Sequence, residues 1–184
     1  MNNDIIIHKV SDVIKRTGSR DPEEICNTLG VMIRYKDLQR RIKAYYYYVT
    51  RIHNIVVDEN ISREYIKILL AHELGHCILH RGVDAGAMFH ETDIFDKYNL
   101  DQKELEANLF AAELLMDDDV IWEELQTSDL TYFQIAQKLG VPVSLMEFKL
   151  VMLESKGYIM NNLPTTRADF LKYETAAYDN WYGD

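Results

Sequence analysis

The chain has only two cysteines in 184 residues, Cys26 and Cys77, too few for the disulfide framework on which small secreted domains depend. It has no apolar run near the ~20 residues that a bilayer-spanning helix needs. Its first seven residues, Met1-Asn2-Asn3-Asp4-Ile5-Ile6-Ile7, have neither the basic start nor the long apolar stretch of a secretory signal. Together these absences predict a reduced, cytoplasmic setting away from membranes. An excess of basic charge is missing too: 20 Lys and Arg stand against 30 Asp and Glu, a formal net charge of −10. A protein that grips nucleic acid by its phosphates carries a basic face or stripe. Arg34, Lys36, Arg40, Arg41 and Lys43 make a local basic cluster, but the overall balance argues against direct nucleic-acid binding and is compatible with a basic protein partner. There is no internal repeat and no low-complexity linker. The expected organisation is one compact domain over 1–160, followed by an acidic, tyrosine-rich tail at 161–184. Hydrophobic residues at 47% and charged residues at 27% are ordinary for a globular protein with one well-buried core.

Ile6, Ile7, Val10, Val13 and Ile14 fall at helical spacing within 4–17. Asp21-Pro22-Glu23-Glu24 reads as a helix start, Asp21 capping and Pro22 in the first turn, with an end near Gly30. Val31 to Tyr35 has the character of a strand, and Tyr45–Val49 and Ile52–Val57 are β-rich runs parted by Thr50-Arg51, a hairpin or sheet pair. Over 62–80, Ile66, Ile68, Leu69, Leu70, Leu74, Ile78 and Leu79 surround a helix with apolar side chains, so it should be largely buried. Residues 81–99, with Gly82, Gly86 and scattered acids, read as a long loop or lid. Leu105, Leu109, Ala112 and Met116 line one side of a helix over 101–116, and two short helices flank Leu139-Gly140-Val141-Pro142. The fold class this predicts is α+β: a small, mostly antiparallel sheet packed on the 62–80 helix, with helices before and after it.

On that helix His72 and His76 are one turn apart, so both imidazoles can reach a single ion. Glu73 lies about 100° round the axis from His72, close enough to address a water on that ion. Three ionisable groups on an otherwise apolar helix would cost several kcal/mol if buried without partners, and a divalent cation removes that difficulty. A hydrolytic zinc site takes three protein ligands and keeps one position for water. The third can come from Glu104, Glu106 or Glu113 on the 101–116 helix. Glu104 is one turn before Asn108, with Ala107 and Ala111 on the same side to permit close helix approach, and Asn108 is positioned to hydrogen-bond a ligand histidine. Periodicity favours Glu104 without excluding the other two.

The string Ala71-His72-Glu73-Leu74-Gly75-His76, then Leu79-His80, then Glu104-Leu105-Glu106-Ala107-Asn108-Leu109-Phe110-Ala111-Ala112-Glu113-Leu114-Leu115-Met116, resembles the ImmA/IrrE family of metallopeptidases. In order of elements the resemblance runs over about residues 20–155. It implies a zincin-like core, a bound Zn2+, Glu104 as the third ligand and Glu73 as general base. It also implies a protein substrate, since the best-studied members cleave a helix-turn-helix repressor and many are encoded by phages and mobile elements. Asp117 departs from the family, where proline often follows Leu-Leu-Met; it bears on the helix end and not on the chemistry.

Other residues carry two readings each. His80, one turn beyond His76, either supports the metal site or contacts substrate, or is simply a histidine at the negative end of a helix dipole. His90, Glu91 and Asp93 fall in the expected lid, where solvated loop residues are the better reading. Cys77 is read as core, with thiolate ligation the alternative. Tyr45-Tyr46-Tyr47-Tyr48 should alternate across a strand, either as a half-buried aromatic strand or as an edge that takes extended substrate. Residues 131–150 have the pattern of a helix-turn-helix, but the second helix offers only Ser144 and Lys149 beside Glu147, so it reads as a structural or partner-docking unit. The leading function is therefore a site-specific zinc endopeptidase. Its rivals are a non-hydrolytic antirepressor or toxin–antitoxin component on the same fold, and a DNA-binding regulator using 131–150.

Overall fold

The computed structural model describes residues 2–39, 41–80 and 101–159, and in these it has seven helices and one three-stranded sheet. The expected lid at 81–99, with His90, Glu91 and Asp93, and the tail at 161–184 lie outside the described residues.

Local signals set most element ends. α1 (Asn3–Thr17) opens on the Asn2 side chain and stops at left-handed Gly18. α2 (Pro22–Leu29) opens on Asp21, whose carboxylate accepts from the Glu23 and Glu24 amides, and stops at Gly30 with φ 73°. β1 (Met32–Lys36), β2 (Ala44–Val49) and β3 (Ile52–Asp58) form a sheet in the order β1-β3-β2. β2 and β3 are the expected hairpin, joined through Thr50 and Arg51, both at positive φ (48° and 64°). Tight hairpins demand that backbone, although neither residue type favours it.

The sheet is mixed rather than mostly antiparallel, because β1 runs parallel to β3. β1 and β2 flank β3 on opposite sides, so the chain crosses from one side of β3 to the other between them. Both ends of that crossing are pinned: Glu59 N donates to Lys36 O (3.0 Å) and Asp58 N to Lys43 O (2.8 Å). Asn60 adds side-chain hydrogen bonds to Asp37 and Asp58. β2 is thereby left at a sheet edge.

α3 (Arg63–Leu79) starts at Ser62, and every residue from Ile68 to Cys77 is buried. α4 (Gln102–Leu115) starts at Asp101 and is buried from Glu106 through Leu114. These two helices pack against each other at the centre of the fold, with the sheet, α1 and α7 (Val143–Ser155) around them. Wholly buried Leu69, Leu70, Leu74 and Leu114 anchor that core, each worth roughly 1.5–3 kcal/mol relative to exposure. Gly75 is required by the contact itself: a Cβ there would stand 2.9 Å from Ala107 Cα.

Asp117 caps a helix that the sequence pattern does not announce, α5 (Asp118–Thr127), and also pairs with Arg20 at 2.9 Å. Arg20 Nη1 satisfies the carbonyls of Glu113 and Leu114 at the end of α4. α6 (Tyr132–Leu139) has a full capping box at Thr131 and Gln134 and ends at left-handed Gly140. α7 (Val143–Ser155) follows and packs on α4. Ser144 and Lys149 are both buried, Lys149 completely, so neither can reach a nucleic acid from this position. Lys149 instead donates to Glu113 (3.0 Å) and Asp118, and Lys156 donates to the same two carboxylates.

Candidate metal centre

α3 presents His72 and His76 on one face and α4 brings Glu104 to meet them. His72 Nε2 and His76 Nε2 are 3.1 Å apart. Glu104 Oε2 lies 3.2 Å from His72 Nε2, and Glu104 Oε1 lies 3.2 Å from His76 Nε2. The ligand atoms of this group all fall within 4.8 Å of one another, and among the described residues it is the group able to hold a metal ion. Both histidines are buried and Glu104 nearly so. Glu104 Oε1 is enclosed yet accepts no well-aligned hydrogen bond.

Those separations fit an ion. Nitrogen and oxygen ligands at ~2.0–2.1 Å in a tetrahedral arrangement stand ~3.3 Å apart, and the three observed spacings are 3.1, 3.2 and 3.2 Å. Lone pairs converging at this distance repel one another unless positive charge sits among them. Burial alone would push the Glu104 carboxyl up; the facing His72 and His76 imidazoles outweigh it and hold the group below the ordinary carboxylate range. Two imidazoles and one carboxylate are also the donor set of a hydrolytic zinc site.

The far nitrogens of both histidines are occupied. His72 Nδ1 is 2.8 Å from Asn108 Oδ1. His76 Nδ1 is 3.2 Å from His80 Nδ1, and His80 Nε2 is 2.9 Å from Glu106 Oε2. Gln102 donates to the other oxygen of Glu106 at 2.7 Å. Burial lowers the His80 imidazole against the opposing pull of Glu106. Burial would raise Glu106, but hydrogen bonds, those of Gln102 and His80 among them, hold it below the ordinary carboxylate range. Glu73 is buried on α3 immediately beside His72.

The three candidate glutamates thus separate by partner. Glu104 meets the histidine pair, Glu106 meets His80, and Glu113 is bound to Lys149 and Lys156 on α7. Asn108 lies against His72 and His80 against His76. Cys77, read as core, is buried away from the group, its sulfur 3.4 Å from His53 Nδ1 on the β3 side of α3. His53 also contacts the Tyr46 hydroxyl at 2.7 Å, a link between β2 and α3 for which sequence spacing carries no signal. Tyr46 and Tyr48 share the His53 face of the sheet, whereas the Tyr45 and Tyr47 rings lie together, 5.9 Å apart.

Residues 26–151 match a peptidase family described as the IrrE N-terminal-like domain. The chain is 30% identical over 152 residues to metallopeptidase ImmA of Bacillus subtilis (strain 168), covering 82% of this chain and 86% of that protein. It is also 30% identical over 140 residues to an uncharacterized immunity region protein 2 of Bacillus phage phi105, covering 76% of this chain and 85% of the phage protein. Among the described residues no helix is long and apolar enough to cross a membrane.

Proposed function

The chain belongs to the ImmA/IrrE family of metallopeptidases, and from that premise we propose that it is a zinc endopeptidase that cuts a helix-turn-helix repressor at one site. The convergence of His72, His76 and Glu104 within 4.8 Å carries the reading. In it these three hold the ion and Asn108 orients His72. A divalent ion in this position would polarise the scissile carbonyl and bring the pKa of a water toward ~7. Glu73 acts as general base, taking the proton of the attacking water and delivering it to the leaving nitrogen. It is buried on α3 next to His72.

Among the described strands β2 lies at a sheet edge, tied to α3 through Tyr46 and His53, a position that suits an extended segment of substrate added as a further strand. Such a segment exists in a linker or a locally unfolded stretch, so cleavage falls there and not within a folded helix. The repressor class is supported by the phage immunity name of one relative and by the −10 charge of this chain, which complements the basic face of a DNA-binding protein.

The test is incubation of the zinc-loaded enzyme with the repressor encoded beside it and, separately, with casein. One discrete cut in the repressor and little casein breakdown is the expected result. Indiscriminate casein digestion overturns the specificity and leaves the peptidase standing. A repressor inactivated equally by the Glu73→Gln variant points to the rival reading, an antirepressor that binds without hydrolysis.

A further inference from the structure

α4 does more at this centre than supply Glu104. Its next buried acid, Glu106, is two residues on and faces away from the three converging ligand atoms, toward His80. An ionised carboxylate has no proton to give, so the 2.9 Å contact requires His80 to carry its proton on Nε2. A neutral imidazole protonated there has a bare Nδ1. That Nδ1 lies 3.2 Å from His76 Nδ1, so the proton between them belongs to His76. His76 is then protonated on Nδ1 and bare on Nε2, the atom that faces Glu104 and His72. At the other ligand, Asn108 Oδ1 accepts from His72 Nδ1 at 2.8 Å, which leaves the His72 Nε2 lone pair for the metal.

We propose that Glu106, acting through His80, is the positioning residue for His76, holding it in the tautomer and ring orientation that aim its Nε2 lone pair at the metal. The inference rests on the metallopeptidase reading above and extends it. The two ligand histidines are served unequally. His72 has a direct partner on α4 in Asn108, whereas His76, one turn further along α3, is linked to Glu106 of α4 through an intervening imidazole. Gln102 keeps Glu106 in place by occupying its other oxygen at 2.7 Å, one turn back along α4. The chain Gln102–Glu106–His80–His76 therefore converts a fixed point on α4 into a fixed rotamer on α3. His80, the C-cap of α3, thus does more than serve the helix dipole, and Glu106 is not a spare ligand.

Groups acting in series lose their effect together, which separates this arrangement from two independent structural contacts. In the full-length protein, His80→Ala and Glu106→Ala should each weaken zinc binding roughly 10- to 100-fold, measured by competition with a chelator. The double variant should be no weaker than the poorer single variant, within about threefold. Losses that multiply, or single variants that bind zinc as the unaltered protein does, overturn the proposal. A second measurement needs no variant. In the zinc-loaded protein, imidazole nitrogen NMR should show His80 protonated on Nε2 and bare on Nδ1. A proton on His80 Nδ1 overturns the relay even if zinc is bound. An unaltered chain that takes up no zinc overturns the metallopeptidase reading itself, and the relay with it.

Discussion

Gly75 and Ala107 touch where the two central helices cross, so closely that a methyl group on Gly75 would lie 2.9 Å from the Ala107 Cα and 3.1 Å from its carbonyl oxygen. This crossing fixes the distance between the histidines on α3 and Glu104, three residues before Ala107 on α4. Both opposing atoms belong to the backbone, so no side-chain rotation relieves the clash. Gly75→Ala gains about 1 kcal/mol of helix propensity but overpacks a filled contact, at roughly 1–3 kcal/mol. The variant should be less stable to urea and should bind zinc at least tenfold more weakly. A variant as stable as the parent, with unchanged zinc affinity, would show that the crossing is not what sets the site.

Removing ligand and base should have separable effects. Glu104→Ala should abolish stoichiometric zinc, read by elemental analysis after dialysis, whereas Glu106→Ala should still take up the ion, only more weakly. Glu73→Gln should keep both zinc and fold, yet lose hydrolysis by roughly 10²–10⁴-fold or more. Zinc retained by Glu104→Ala would return the third ligand to one of the other two acids. Appreciable cleavage by Glu73→Gln would remove Glu73 from the mechanism.

The choice among Glu104, Glu106 and Glu113 shows where reading the sequence stops. The i, i+4 pair His72 and His76 is legible because one helix face suffices to define it. Helical period separates glutamates only if a polar face is turned to water, and α4 has almost none: each residue from Glu106 to Leu114 is buried. Each acid is resolved by a partner from another element, the histidine pair, His80 or the α7 lysines, which period alone cannot see. Resemblance to a family selects Glu104 where spacing only leans toward it. The direction of β1 is hidden for a similar reason. Side chains alternate alike in parallel and antiparallel strands, so alternation does not say on which side of β3 each neighbour pairs. α5 escapes notice because it buries only Ile121 and Leu125. The caps at Asp21, Ser62 and Asp101, whose geometry is local, fall where helix starts are expected.

The ion cluster joining α4, α5 and α7 should leave a signature in stability against pH. Burial alone would raise the Asp118 carboxyl, but its hydrogen bonds to Lys149 and Lys156 outweigh that and lower it. Burial would lower Lys156, but Asp118 and Glu113 raise it. A depressed carboxylate stabilises the fold above its unfolded value, about 3.9, and loses that contribution as pH falls through the folded value. A raised ammonium stabilises below its unfolded value, about 10.4, and loses that contribution as pH rises through the folded value. The stability difference between the parent and Lys156→Met, from urea unfolding, should therefore be flat from about pH 5 to about pH 9. It should shrink at more acid and more alkaline pH. A difference independent of pH across the whole range would mean that Lys156 contributes by packing alone.

Charge should also govern how the enzyme meets its substrate. With 30 acidic against 20 basic residues, the chain should attract a basic repressor, the proposed substrate, over distances that salt shortens, since the screening length falls from ~10 Å at 0.1 M to ~3 Å at 1 M. Attraction of this kind acts on encounter and not on the chemical step. Raising salt should therefore lower kcat/KM for repressor cleavage, by about tenfold or more between 0.05 and 0.5 M, and leave kcat nearly unchanged. A short peptide spanning the cleavage site, without the basic domain, should lose that salt dependence because it occupies the β2 edge without the long-range field. Equal salt sensitivity for peptide and repressor would place the effect at the site itself, and the case for steering by the acidic surface would fall while the peptidase assignment remained.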